Sequence, residues 1–218
     1  MSNQQSHSHS HDHSHSHSHG SFDWNHMYSG EASDCEPADT LMVQTIDGLP
    51  PGRALDIGCG AGGMLLALAE RGWTVAGIDL ASKGIAAARK ALASRGLAAT
   101  LEVADATTWR PTQAFDLITS SFALPGTPAE RARVFAMAKQ ALAPGGIVLL
   151  KDFDSTMTKP AQFAHYQLMT TDELTSAFVG FEILRAEVVP TPPHDHDGSG
   201  RYAGEHWTAA LLYARKPA

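Results

Sequence analysis

The stretch Ala54-Leu-Asp-Ile-Gly-Cys-Gly-Ala-Gly-Gly63 sets glycines 58, 60, 62 and 63 between an apolar run and an Ala/Leu-rich one. Glycine tolerates positive φ and lets a backbone approach another group with no Cβ in between. A buried strand that turns through such a run into a helix opens a parallel α/β unit. The rest of the chain repeats the alternation. Strands are predicted over residues 53–57, 73–78, 100–103, 115–120 and 147–151. Helices are predicted over 62–71, 82–95, 128–142 and 171–179. Ser82 is the expected N-cap of the second helix and Gly96 its stop, and Pro144-Gly145-Gly146 ends the third. Residues 181–189 and 206–214 read as strands with no helix between them, so they are expected to pair antiparallel. The expected fold is an open, mostly parallel sheet with helices on both faces and right-handed crossovers. A ligand belongs at the carboxyl ends of the strands, where strand order reverses.

Composition narrows the class. The chain has 218 residues, 43% hydrophobic and 18% charged, enough apolar material for one domain with a core. No apolar run reaches the ~18–20 residues that cross a bilayer, and the N-terminus has no apolar signal segment. A net charge of −7 argues against a body that wraps nucleic acid, so no nucleic-acid or membrane partner is expected. Two cysteines, Cys35 and Cys59, make no disulfide framework, and a cytoplasmic location is expected.

Residues 1–20 differ in kind: they alternate Ser with His7, His9, His11, His13, His15, His17 and His19 and hold no hydrophobe after Met1. Such a tail cannot pack and is expected to be disordered. Clustered imidazoles chelate zinc, nickel or copper. Residues 21–52 form a lead-in containing Phe22, Trp24, His26 and Tyr28, closed by Pro50-Pro51-Gly52. Residues 53–218 carry the alternating pattern.

The glycine run satisfies the dinucleotide pattern G-x-G-x-x-G through Gly58, Gly60 and Gly63, and equally D-x-G-x-G-x-G through Asp56, Gly58, Gly60 and Gly62. Alone it does not choose. Asp56 sits badly with a pyrophosphate, since like charges repel at short range, and suits a ligand with a positive amino group. Asp79 ends the second strand, where a carboxylate can take both hydroxyls of a ribose. Asp105 follows the third strand, where a carboxylate can accept from an exocyclic amine. The set favours a mononucleoside carrying a charged amino-acid tail.

Together, residues 55–62, Gly77-Ile-Asp-Leu80, Val103-Ala-Asp-Ala106, Phe115-Asp-Leu-Ile118 and Leu142-Ala-Pro-Gly-Gly146 resemble the class I S-adenosylmethionine-dependent methyltransferases, in that family's order and spacing. The resemblance covers about residues 50–217. It implies a Rossmann-like seven-stranded sheet with an antiparallel C-terminal hairpin. It also implies that Asp56, Gly58, Cys59, Gly60 and Gly62 lie along the methionine part of the donor. Asp79 and Leu80 would hold the ribose, and Asp105 and Ala106 the adenine. Ser120 and Ser121 would face the methyl group. Cys59 would offer its backbone only, because no activating base is adjacent.

The acceptor is less marked. After the fourth strand the chain reads Ser120-Ser-Phe-Ala-Leu-Pro125, which lacks the Asn/Asp-Pro-Pro-Tyr/Phe motif that in this superfamily marks methylation of base or glutamine amino groups. A small-molecule acceptor is expected. The compact layout is similar to the tellurite-resistance-type and thiopurine-type methyltransferases, which implies a thiol, chalcogen or metalloid acceptor. Trp24, His26 and Tyr28 are expected to form a lid, as aromatics suit a sulfonium or a planar substrate. Asp152 and Asp154 lie past the fifth strand, and His165 in the segment before the last helix is a candidate base. His194, Asp195, His196 and His206 form a possible second metal loop. Three other functions compete: methylation of a protein or RNA target, metal handling by the tail, and nicotinamide-dependent oxidoreduction. Asp56 and the lack of room for a substrate domain oppose the last. Oligomeric state is not encoded in any pattern found.

Overall fold

The structure is a computed structural model that describes residues 23–28, 37–158, 164–192 and 204–218. The His/Ser tail, Phe22, Cys35 and the 194–196 loop fall outside the described residues.

Seven strands form one sheet: β1 (Arg53–Ile57), β2 (Thr74–Asp79), β3 (Ala99–Val103), β4 (Phe115–Ser121), β5 (Leu142–Phe153), β6 (Glu182–Pro190) and β7 (Thr208–Arg215). Their spatial order is β3-β2-β1-β4-β5-β7-β6. Pairings from β3 through β5 are parallel, and β7 runs antiparallel to both β5 and β6. The helices are α1 (Thr40–Thr45), α2 (Gly63–Ala69), α3 (Ser82–Ser94), α4 (Pro128–Ala141) and α5 (Thr171–Ala177). Chain order reverses between β1 and β4, which opens a crevice at the carboxyl ends of both strands.

The central strands are apolar on both faces, as a sheet covered by helices on both sides requires. Leu55, Ile57, Ile118, Val148 and Leu150 pack with α4 and α5 on one face. Ala54, Leu117, Leu149 and Leu211 pack with α1, α2 and α3 on the other. Two boundaries differ from the sequence reading. β5 begins at Leu142, and Pro144-Gly145-Gly146 forms an irregular stretch of it, with the β4 register shifting between Phe115 and Leu117. The Gly145 and Lys216 amides close this region on the last residues of the chain and on Gly146. Ser82 is the first helical residue of α3 rather than its cap. Ala81 stands at the cap position and has no side-chain oxygen to offer.

One long-range pair fixes the lead-in to the sheet. Asp39 caps α1 by accepting from the Met42 N–H at 3.1 Å, and its other oxygen takes Lys151 Nζ at 2.5 Å. Lys151 lies on β5 with its side chain only 3% exposed, and its ammonium stands 5.1 Å from the Phe122 ring centroid. Removing one partner of a buried pair strands the other's charge. Asp39→Ala is therefore expected to destabilise the protein by roughly 3–5 kcal/mol in denaturant titration. The double change Asp39→Ala with Lys151→Met should recover all but the lost helix cap, about 1 kcal/mol.

Candidate active site

The β1–α2 turn is built from glycines that no other residue can replace at two points. Gly58 has φ of 70°, and a Cβ there would overlap the methyl of Ala123 in the loop after β4. Gly60 has φ of 49°, and a Cβ would fall 2.5 Å from the Tyr28 hydroxyl. The turn is thus a glycine-built cradle, with the Ala123 methyl filling the space beside Gly58 and the Tyr28 hydroxyl that beside Gly60.

Asp79 organises this cradle. Its Oδ2 accepts from the Gly60 N–H at 2.8 Å and its Oδ1 from the Ala81 N–H at 2.7 Å. Burial pushes its carboxyl above the ordinary range, and those two N–H groups pull it back. The Gly58 and Cys59 amides both donate to the Ile78 carbonyl, at 2.8 and 3.1 Å, which joins the turn to the end of β2. Cys59 is buried, and that burial, with the charges of Asp56 and Asp79, raises its thiol strongly. The thiol is not a nucleophile in this state. Leu80, next to Asp79, is 55% exposed, an apolar surface that a planar ring would cover.

Asp56 points into the protein. It is 4% exposed, and Thr119 Oγ1 donates to its Oδ1 at 2.7 Å. Desolvation drives its carboxyl up to about 7, opposed by the Thr119 hydrogen bond and reinforced by the charge of Asp79. It therefore underlies the turn rather than lining it. Asp105 is exposed, and its Oδ1 accepts from the Thr107 N–H at 2.8 Å, so one oxygen shapes the turn after β3. Ala106 packs against the core beside Trp109. Ser120 is corrected outright: it is fully buried and its hydroxyl donates to the Ile57 carbonyl at 3.0 Å, so it cannot face a methyl group. Ser121, the last residue of β4, is half-buried at the crevice.

The lead-in crosses this end of the sheet as a 3-10 turn, Trp24–Tyr28. Asn25 Oδ1 accepts from the Lys83 N–H at 3.1 Å and from Ser82 Oγ at 3.3 Å. It supplies from another segment the cap that α3 lacks. Asp23 Oδ1 orients Asn25 by accepting from its amide N–H at 3.0 Å. The Tyr28 ring lies against Gly84, where a Cβ would come within 3.1 Å of it. Trp24 is half-buried in the same turn, while His26 is exposed and 3.8 Å from Asp23.

A small cleft opens on the far side of the Ala123 loop, lined by Leu124, Pro125, Asp152, Phe153, Tyr166 and Met169. Phe122 enters this loop at φ of 52°, a conformation non-glycine residues rarely adopt and that clusters at functional sites. Asp152 Oδ2 accepts from the Leu124 N–H at 2.8 Å and Oδ1 from the Phe153 N–H at 2.7 Å. Burial lifts its carboxyl to about 6, against those N–H groups and the Arg131 charge. Burial and the charges of Asp152 and Glu130 lift Tyr166 to about 12. Arg131 clamps both walls. Its Nη1 donates to the carbonyls of Pro125 (3.1 Å) and Gln167 (2.8 Å), and its Nε and Nη2 grip Glu173 at 2.6 and 2.7 Å. His165 is exposed, its ring tilted against Tyr166 with centroids 4.8 Å apart, outside the cleft lining. Asp154 is buried with its Oδ1 on Thr156, a turn-forming role.

Sequence reasoning missed Asn25, Thr119, Ala123, Arg131 and Tyr166. Each acts through a partner distant in sequence, so no spacing signals it. Among the described residues no group of three His, Cys, Asp or Glu is placed to hold a metal, and His206 is exposed.

A glycine-built turn at a strand-order reversal, tied to a carboxylate ending β2 and set beside a small cleft, is the arrangement in which open α/β sheets bind ligands. The comparisons agree. Residues 54–146 match the family model described as a methyltransferase domain. The chain is 32% identical over 182 residues to the ubiquinone biosynthesis O-methyltransferase of Azoarcus sp., covering 80% of this chain and 71% of that protein. It is 34% identical over 128 residues, 57% of its length, to phosphoethanolamine N-methyltransferase 1 of Zea mays, of which it spans 25%. The crystal structure of TehB from Haemophilus influenzae superposes with a TM-score of 0.70 at 21% identity, over 82% of this chain and 62% of that one. The chain belongs to the class I S-adenosylmethionine-dependent methyltransferases.

The buried Asp56 gives a pH-dependent stability of known sign. Its native value of about 7 lies above the ordinary 3.8, so the native state holds a proton that the unfolded chain has released. Its contribution to stability is full below about pH 4 and is lost as pH rises through 7. Asp152 adds a smaller loss of the same sign, through about 6. Stability followed by urea titration is expected to fall between about pH 4 and 7, and Asp56→Asn should flatten that fall by on the order of 2 kcal/mol.

Proposed function

We propose that this protein transfers the methyl group of S-adenosylmethionine to a small molecule seated in the Asp152 cleft. The observation that carries the reading is the pairing of two sites across one loop. Ala123 packs on Gly58 of the cradle, and the next residue, Leu124, is held by Asp152. S-adenosylmethionine, when bound, supplies a methyl group already activated on a sulfonium.

The residues present fit that donor. Positive φ at Gly58, Gly60 and Gly62 gives the tight strand-to-helix turn along which a ligand can approach the backbone. Asp79 fixes the cradle and offers its remaining lone pairs to hydroxyls. The work left to the chain is alignment and exclusion of water. Tyr28 and Asn25 hold the lead-in across the donor end, and Arg131 holds both walls of the acceptor end. The small cleft suits a small molecule better than a protein or RNA segment. Within that class, the sequence resemblance favours a thiol, chalcogen or metalloid species, and the named relatives act on other small compounds. The His-rich tail is assigned zinc, nickel or copper chelation on composition alone.

Calorimetry with S-adenosylhomocysteine tests the donor half. Asp79→Ala removes the acceptor for two backbone N–H groups, and affinity is expected to drop 10- to 100-fold, about 1.5–3 kcal/mol. Undiminished affinity would sink the assignment of Asp79. Incubation with methyl-labelled S-adenosylmethionine and a cell extract tests the acceptor half. Label should enter headspace or small solutes, and label confined to macromolecules would overturn the small-molecule reading.

A further inference from the structure

We propose that Asp152 is the proton acceptor of the transfer, and that the methyl acceptor is a hydroxyl, amine or thiol that reaches the cleft with its proton on. The inference rests on the donor and cleft assignments above and names the chemistry of that cleft.

A half-buried carboxylate must be explained, because desolvating it is unfavourable unless it is paired or hydrogen-bonded. Asp152 has hydrogen bonds but no ion-pair partner among the described residues. The cation facing it from α4 is Arg131, and every nitrogen of that guanidinium is already engaged by Glu173 of α5 and by the Pro125 and Gln167 carbonyls. Tyr166 faces it from the segment before α5, and the residue opposite on β7 is Ala210. Two backbone N–H groups, one on each oxygen, fix the plane of the carboxylate, and the Ala123 N–H also reaches it. A carboxylate has about four acceptor sites, so capacity remains for a ligand, and the side chain lines the cleft. Anchoring the loop needs only these N–H contacts. It does not need a carboxylate that holds its proton up to about pH 6. A value near working pH is what a general base requires.

The position also suits the donor. Ser121 pairs with Lys151 at the ends of β4 and β5, and Asp152 is the next residue along. The loop it holds is the one that packs on Gly58. In the step, a lone pair on the acceptor heteroatom forms the new bond to the methyl carbon. The carbon–sulfur bond breaks and its electrons stay on sulfur, while the acceptor's proton passes to Asp152. A preformed anion has no proton to give and would meet the charge of Asp152, so anionic oxyacids are disfavoured.

The test compares the full chain with Asp152→Asn and Asp152→Glu. Labelled S-adenosylmethionine is the donor. Catechol, phenethylamine, benzenethiol and the small-solute fraction of a cell extract are the acceptors, from pH 4.5 to 8.5. Calorimetry with S-adenosylhomocysteine reports folding of the donor site, and the Asp152 carboxyl carbon resonance reports its titration without turnover. Asp152→Asn should bind S-adenosylhomocysteine like the parent and transfer about 10²–10⁴-fold more slowly. The parent rate should rise through about pH 6, in step with the carbon resonance. That limb should vanish in Asp152→Asn and return in Asp152→Glu, a rescue that loop anchoring alone does not give. Equal rates in parent and Asp152→Asn, or an unchanged limb, would overturn the role of Asp152 and leave the methyltransferase reading intact. A parent that binds S-adenosylhomocysteine but labels no small solute would overturn the small-molecule reading, and this inference with it. Should Asp152→Asn fail to bind S-adenosylhomocysteine, Asp152→Glu decides: a retained limb supports the role and a lost one overturns it.

Discussion

The active end of this protein hangs on one carboxylate. Asp79 takes the N–H of Gly60 on one oxygen and of Ala81 on the other, and so binds the first turn of the fold to the start of α3. The two amides are far apart in sequence. Without that bridge the glycine turn would have no fixed distance from the end of β2, and a ligand would have to order it on binding. The same carboxylate is partly desolvated, so it gains from any hydrogen-bond donor that approaches.

A second dependence runs from the lead-in to α3. Helix N-termini carry orphan N–H groups, and α3 begins at Ala81 with no capping side chain of its own. Asn25 provides the missing acceptor, and Tyr28 in the same turn covers Gly60 and Gly84. The lead-in is therefore held by α3, the helix that follows Asp79. Its docking includes the two hydrogen bonds of Asn25 and the ring of Tyr28. Such a contact is worth about 1–2 kcal/mol, the scale at which a covering segment opens and closes readily.

Much of this was legible in the sequence, and what was legible was local. Strand and helix alternation, the glycine turn and Asp79 are set by neighbours along the chain, and the topology follows from them. Ser82 reads as a cap because serine before an amphipathic run is one, yet the chain enters α3 one residue earlier and Asn25 takes the role. Ser120 reads as a site residue because it ends a strand, but the pleat turns it inward onto Ile57. The pairs Lys151–Asp39 and Arg131–Glu173 join segments that no periodicity connects. Lys151 is a charge closing an apolar run of β5, and that mismatch was its one available signal, whereas Arg131 sits on a helix with other charges and carried none.

These pairs make sense beside the unpaired carboxylates. Asp56 and Asp152 sit at the ends of β1 and β5, both pushed toward neutrality by desolvation. A chain selected for stability alone would replace them with amides or apolar groups. Lys151, the residue before Asp152, is neutralised by Asp39, and Arg131, the cation nearest the cleft, by Glu173. The cations close to the site are thus tied to other acids, while Asp56 beneath the turn and Asp152 at the cleft are left with hydroxyl and backbone donors. Had either cation been directed at Asp152, its carboxyl would have stayed ionised far below working pH and lost its use as a base. The arrangement keeps proton affinity at the ligand end of the sheet and places the compensating ion pairs in the walls around it.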